Sequence, residues 1–445
     1  FGMGGNSDIA IEISGFKEYT EDLYGEGDRD QYFGTSMITS GLNYKKAINE
    51  KTFVSSTVAY SQEVQQANHD YLQRSLTING GDTTIQIDSI YPLMAYTFKT
   101  HKISSYTALN HKINKQHLVK FGYNADLFLM NMHDSALVDY YTPNVFFTRW
   151  NYEGSCVLIQ PFIQWKWRMT DNTDFTAGIH SQYFSMSNSL SPAELRLGFK
   201  HKLSGNQSVF AGAGMHSQAQ PLYTYVDNRK GAGNFFNKGM DFTKSLHSGI
   251  GYEKFFAKGF SVRTEAYYQY LYNIPVTIAP SSFSMINMGS GFQRFFPEPL
   301  QNTGTGYNYG LELTVQKFFD KSFFFMFSGT IYDSKYKGSD GVERNTSYNG
   351  LYIANILGGK EFKLGLKQSI SIGIKVTVAG GKRYGYVDIA ASQALNELIF
   401  EDDGFNSRQF YDYFRADLKI NWKYNAKRTT HEIGLDLVNI FNSKN

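Results

Sequence analysis

The chain has 445 residues, a formal net charge of +3 from 43 basic and 40 acidic side chains, and one cysteine. Charges this evenly mixed, with no basic block, give no electrostatic case for nucleic acid, and a lone Cys156 excludes an internal disulfide and a cysteine-built zinc site. Aromatic residues reach 16%, with 41 Gly against 9 Pro, a mixture that suits long pleated strands and not helices.

No stretch approaches the ~18 consecutive apolar residues of a membrane-spanning helix. Mean hydropathy is -0.37, ordinarily a sign of solubility. A transmembrane barrel escapes that inference because only every second side chain faces lipid. The chain opens at Phe1 without a charged-then-apolar signal segment, as expected of a mature form or a fragment.

In chain order, tight polar turns are predicted at Asn49-Glu50, Asn114-Lys115, Asp171-Asn172, Gly205-Asn206, Lys258-Gly259, Asp320-Lys321, Lys363-Gly365 and Ala426-Lys427. Longer connections rich in Gly, Asn, Asp and Ser are predicted near 10–30, 75–91, 133–150, 220–241, 276–304, 335–348 and 381–409, with a shorter link near 187–192. Short turns on one side and long loops on the other are outer-membrane barrel topology. Cys156 is expected to be an inert buried or lipid-facing thiol.

Alternation assigns faces along several runs. Leu311, Leu313 and Val315 oppose Glu312, Thr314 and Gln316. Ile370, Ile372, Ile374, Val376 and Val378 oppose Ser371, Gly373, Lys375 and Thr377. Phe414, Ala416, Leu418, Ile420, Trp422 and Tyr424 oppose Arg415, Asp417, Lys419, Asn421 and Lys423, and Ile433, Leu435 and Leu437 oppose Glu432, Gly434 and Asp436. Phe255-Phe256, Phe318-Phe319, Trp422 and Tyr424 gather near strand ends, where an interfacial girdle would sit. The predicted fold is an all-β antiparallel transmembrane β-barrel of roughly seventeen strands, an odd count that leaves edges to be paired by residues elsewhere.

Residues Asn302-Tyr336, NTGTGYNYGLELTVQKFFDKSFFFMFSGTIYDSKY, resemble a characteristic hairpin of bacteroidete-type TonB-dependent receptors. GMHSQAQPLY (Gly214-Tyr223), EAYYQYLYNIPV (Glu265-Val276), NGLYIANILGGKEFKLG (Asn349-Gly365) and THEIGLDLVNIFNSKN (Thr430-Asn445) agree in order, and the opening FGMGGNSDI resembles an early strand. The resemblance implies a 22-stranded barrel in the outer membrane, with residues 1–445 as one incomplete barrel domain. Plug, early strands and closing strand would lie outside this sequence, and a carboxypeptidase-regulatory-like domain could precede them. It further implies active import of a scarce solute, captured by extracellular loops and driven by a TonB-type energy transducer acting on the plug. Outer-membrane lipid is then the surrounding partner, with a surface lipoprotein as a further candidate and no nucleic acid.

Binding candidates lie in two echoing strands, AGIHSQ at Ala177-Gln182 and GMHSQAQ at Gly214-Gln220. Parity puts His180 and Gln182 on the face of Gly178, and His216, Gln218 and Gln220 on the face of Gly212 and Gly214; that face is read as the lumen. With one strand between them the two histidines are expected ~10 Å apart, too far to share a metal unaided. A polar patch for plug or solute competes here with generic hydrogen bonding in a wet barrel.

No catalytic residue and no cofactor is expected. His180-Ser181 and His216-Ser217 point oppositely, and no GxSxG elbow or P-loop is present. Arg263, Glu265, Arg415, Asp417, Lys419 and Lys423 read as structural lumen charges of mixed sign, and the tracts Asp227-Phe242 and Glu401-Gln409 as capture surfaces. The rival readings are a passive porin or a structural barrel that serves as platform for a surface complex, and a soluble β-rich adhesin or repeat module.

Overall fold

The computed structural model describes residues 2–9, 29–79, 82–137, 145–227, 235–289, 299–395, 400–401 and 403–443. Among the described residues, seventeen strands of eight residues or more form one antiparallel wall in chain order. They are β1 (Gly2–Ile9), β2 (Arg29–Asn49), β3 (Thr52–Asn79), β4 (Asp82–Lys112), β5 (His117–Leu137) and β6 (Phe146–Thr170). Then come β7 (Thr173–His180), β8 (Glu194–Leu203), β9 (Gln207–Gln218), β10 (Thr243–Phe256), β11 (Phe260–Thr277) and β12 (Leu300–Asp320). The wall continues with β13 (Phe323–Lys337), β14 (Tyr352–Lys363), β15 (Gln368–Ala379), β16 (Tyr413–Asn425) and β17 (Thr430–Leu437). Among the described residues β1 and β17 each have a single ladder partner.

The ladder confirms the faces drawn from alternation. Ile374 pairs with Leu418 and Val376 with Ala416 on one side, while Lys375 pairs with Asp417 and Gly373 with Lys419 on the other. Strands pack along the ladder on the neighbours to which they are hydrogen-bonded. Large apolar residues of the outer face stand open: Leu42 is 82% exposed, Ile250 63%, Ile331 62% and Ile433 67%. A two-sheet sandwich would bury such residues between its layers. This arrangement instead needs lipid around it, because a contiguous exposed apolar band is unfavourable in water.

All eight predicted tight turns fall on the short connections at one end of the wall, although the first is centred on Glu50-Lys51. Gly205 and Asn206, and likewise Lys321 and Ser322, have positive φ at adjacent positions, the conformation that matches strand twist in a tight hairpin. At the other end the long loop predicted over 75–91 is corrected: β3 and β4 stay paired out to Asn79 and Asp82. The Thr/Ile alternation through TTIQIDSI sustains the ladder there, with register shifts at His69/Asp70 and Gln73/Arg74 absorbing the strain of so long a hairpin. Much of the connections predicted near 10–30, and parts of those near 133–150, 220–241, 276–304 and 381–409, lie outside the described residues.

The tightest packing is on the inner wall, toward the long-loop end. Trp150, on β6, is 1% exposed and stacks edge-on against Phe98. Its Nε1 donates to the carbonyl of Tyr223, at 2.9 Å, in the short helix α1 (Leu222–Tyr225). Phe184, Tyr225, Phe242 and Met285 join the same cluster, as does Cys156 at 3% exposure. Loops that fold inward therefore supply an apolar lining that the strands alone do not have.

Candidate functional site

His180 ends β7 and Glu194 begins β8, directly paired in the ladder. Glu194 is fully buried; its Oε2 lies 2.8 Å from His180 Nδ1 and 2.8 Å from Arg196 Nη2. Gln182 Nε2 donates to Glu194 Oε1 at 3.2 Å and to the carbonyl of Ser217 at 2.6 Å, while Gln160 Nε2 donates to Gln182 Oε1 at 3.3 Å. The backbone N–H of Gln182 donates to Ser191 Oγ, so the 181–193 link is held down over this group. A carboxylate taken out of water costs several kcal/mol unless its oxygens are filled, and these partners fill them.

One strand, β8, stands between β7 and β9, so His216 does not meet His180. It meets His247 of β10, with ring centroids 4.7 Å apart and planes at 54°. His247 is paired in turn with Gln269 of β11, whose Nε2 lies 2.7 Å from its Nε2. Asn308 Nδ2 donates to Gln269 Oε1 at 2.7 Å, Ser334 Oγ donates to Asn308 Oδ1, and Thr346 Oγ1 donates to Ser334 Oγ at 2.8 Å. A polar belt thus crosses strands β6 to β13 on the inner face. Beside it a recess of about 590 Å³ is lined by Asn124, Gln160, Gln164, Thr176, His180 and Arg196 among others.

The other two glutamines part from this belt. Gln218 is exposed, whereas Gln220 is 9% exposed and turned into the loop base. Its Nε2 donates to Thr243 Oγ1 and its backbone N–H to the Tyr225 hydroxyl, each at 2.9 Å. Glu194, Arg196, His247 and Gln269 were not among the residues singled out from sequence. Parity alone would have put Arg196 and His247 on the lumen face, but only the ladder register brings them beside the histidines.

Five of the six wall charges named from sequence, all but Lys423, are paired along or across strands among the described residues: Arg263 Nη2 to Glu265 Oε2 at 2.9 Å, Arg415 Nε to Asp417 Oδ1 at 2.7 Å, and Lys419 Nζ to Asp436 Oδ1 at 3.3 Å. Among the described residues no set of three His, Cys, Asp or Glu side chains converges as a metal cage.

At the long-loop end neighbouring loops are bonded to one another. Leu300 N–H donates to Asn237 Oδ1 at 2.9 Å, and Asn302 Nδ2 to the carbonyl of Asp241 at 3.2 Å. Ser281 N–H donates to Ser339 Oγ at 2.9 Å, and Tyr336 OH to the carbonyl of Ser282 at 2.8 Å. Asn345 and Asn406 exchange amide-to-carbonyl bonds of 3.1 and 3.0 Å. Within the tract Asp227-Phe242, residues 228–234 lie outside the described residues, as does Asp402 of Glu401-Gln409. In the loop 338–342, burial works against ionised Asp340, but Arg344, 2.7 Å away, holds its carboxyl below the usual range.

An apolar outside, a wet and hydrogen-bonded inside, short turns at one end and bonded loops at the other define a transmembrane β-barrel of the bacterial outer-membrane type. A family model for the TonB dependent receptor-like β-barrel matches residues 4–442. The chain belongs to that family and is a multi-pass barrel of the cell outer membrane. No curated protein sequence matches it.

Similar solved structures include the ferric-catecholate import receptor Fiu of Escherichia coli K12, with a TM-score of 0.64 at 14% identity over 93% of this chain and 61% of that one. The outer membrane transporter YddB of Escherichia coli superposes with a TM-score of 0.63 at 9% identity over 94% and 60%. The pyoverdine receptor FpvA of Pseudomonas aeruginosa PAO1 does so with 0.61 at 12% over 93% and 58%. These likenesses show the fold, and the chain spans about three fifths of the length of those relatives.

Proposed function

We propose that this barrel, of the bacteroidete type, works in TonB-dependent active import of a scarce solute across the outer membrane. The observation that carries the reading is the family match over residues 4–442, joined to a wall of seventeen strands whose inner face is polar. A closed barrel with at least this many strands has a lumen too wide for its own side chains to fill, so it leaks unless a plug occupies it. Residues 1–445 act in this reading as one barrel domain around such a plug, and a TonB-type transducer supplies the force that displaces it.

The bonded loops over 235–242, 278–289, 299–302, 338–351 and 403–409 serve as the capture surface, where a surface lipoprotein would also dock. His180, Gln182, His216, Gln218 and Gln220 are proposed as polar contacts for plug or solute. Neighbours such as the ferric-catecholate import receptor Fiu and the siderophore receptor PiuA of Acinetobacter baumannii make a metal chelate one cargo class to test. Support for import over a passive pore would come from growth on a limiting solute in cells with and without the energy partner. Uptake should vanish in the deletion; unchanged uptake would assign the barrel to passive diffusion.

A further inference from the structure

The geometry points to a two-histidine binding site for a borderline divalent transition metal, Cu²⁺ above Ni²⁺ and Zn²⁺, formed by His216 and His247 on the lumen wall. With metal–nitrogen bonds of ~2.0–2.1 Å, two imidazoles that share one ion in a cis arrangement hold their centroids roughly 4.5–5 Å apart. The rings of His216 and His247 stand 4.7 Å apart, within that range, with their planes tilted at 54° instead of stacked. The strands hold this spacing, so the backbone need not move for an ion to be shared.

Gly214 makes the approach possible. It is the ladder partner of His247, and a Cβ placed there would lie 3.3 Å from His216 Nε2. The His216 ring is therefore folded across the glycine toward His247, with Nε2 at that edge. Among the described residues the His216 ring has no hydrogen-bond partner, so its lone pair is not already committed. Arg196, which also borders Gly214, has Glu194 2.8 Å from its guanidinium, and this counter-charge offsets its repulsion of a cation.

Gln269 is placed to serve as the outer partner of a ligating histidine: its amide Nε2 now donates to His247 Nε2, 2.7 Å away. When Nδ1 binds the ion, Nε2 carries the proton and needs an acceptor, which the Gln269 carbonyl provides on turning its amide over. Asn308 can turn in step and the Ser334 hydroxyl rotate, so the relay stays bonded in either sense. Imidazole favours Cu, Ni and Zn, and the affinity order puts Cu²⁺ first; water completes the coordination in a wet lumen.

The site does not depend on import and is testable without it. Full-length protein, purified from outer membrane in detergent, is titrated with Cu²⁺ and followed by electron paramagnetic resonance. One ion per chain is expected to show hyperfine splitting from two nitrogens, with His216→Gln/His247→Gln weakening its binding by about tenfold or more and Gln269→Leu by about tenfold. Ser245, the ladder partner of His216, gives the converse test: Ser245→His adds a third imidazole and should tighten binding about tenfold. Variant folding is checked by heat-modifiability on gels without metal. A two-nitrogen signal that persists in the double variant overturns the site. Should the double variant fail to assemble, Ser245→His decides alone, and no gain in affinity overturns the site as well.

Discussion

Arg149 Nε lies 2.5 Å from Asp134 Oδ1 in a pair buried at the base of the apolar inner cluster, with side-chain exposures of 7% and 0%. Deleting the cation leaves the carboxylate unable to recover water. Arg149→Leu is therefore expected to cost about 3–5 kcal/mol, and Arg149→Leu with Asp134→Leu less than either charge deletion alone. Denaturant unfolding from detergent micelles, followed by tryptophan fluorescence, reads both.

Seventeen strands, the turn end and the two faces were legible because each is written locally, in a period of two and in turn residues. Ile374 beside Lys375 shows this: neighbours in sequence, they pair with Leu418 and Asp417 on opposite sides. What was not legible depends on register between strands. His216 was noticed, but its partner His247 is 31 positions away, and Glu194, which His180 meets, lies past an irregular link. The 75–91 region was misread as loop because its Gly, Asn, Asp and Ser content resembles a connection, whereas β3 and β4 stay paired through it out to Asn79 and Asp82.

The two faces should respond oppositely to the same charge. Ile374→Lys places an ammonium against lipid and should destabilise the barrel by about 2–4 kcal/mol if it lies near the midplane. Ser371→Lys, on the face that already presents Lys375, should change stability by less than about 0.5 kcal/mol. Urea unfolding in lipid vesicles separates the outcomes.

Tyr225 reports on the inward-folded loop through pH. Burial pushes its phenol up to about 12, against an ordinary value of 10.0. The folded value is the higher one, so this contribution is complete below pH 10 and is lost as pH rises through about 12. Tyr225→Phe should remove that alkaline loss while costing about 1–3 kcal/mol at neutral pH, because the Gln220 N–H loses its acceptor. Fluorescence of the tryptophans against pH, in both proteins, checks the sign.

Asn406 links two outer loops from a left-handed backbone position, φ 59°, and is 3% exposed. Asn406→Ala removes its amide bonds to the Asn345 carbonyl and to Ser347 Oγ. It should loosen residues 403–409 by about 1–3 kcal/mol without altering barrel assembly. Limited proteolysis of intact cells should then cut this loop faster, with heat-modifiability on gels unchanged.

The most direct test is a spin-label scan of residues 370–378 in a Cys156→Ala background, reconstituted in vesicles, comparing collisions with oxygen and with a water-soluble nickel chelate. Labels at 370, 372, 374, 376 and 378 should favour oxygen, and labels at 371, 373, 375 and 377 the chelate. Uniform access to the chelate along the whole run, or to neither probe, would contradict a wall with lipid on one side and water on the other.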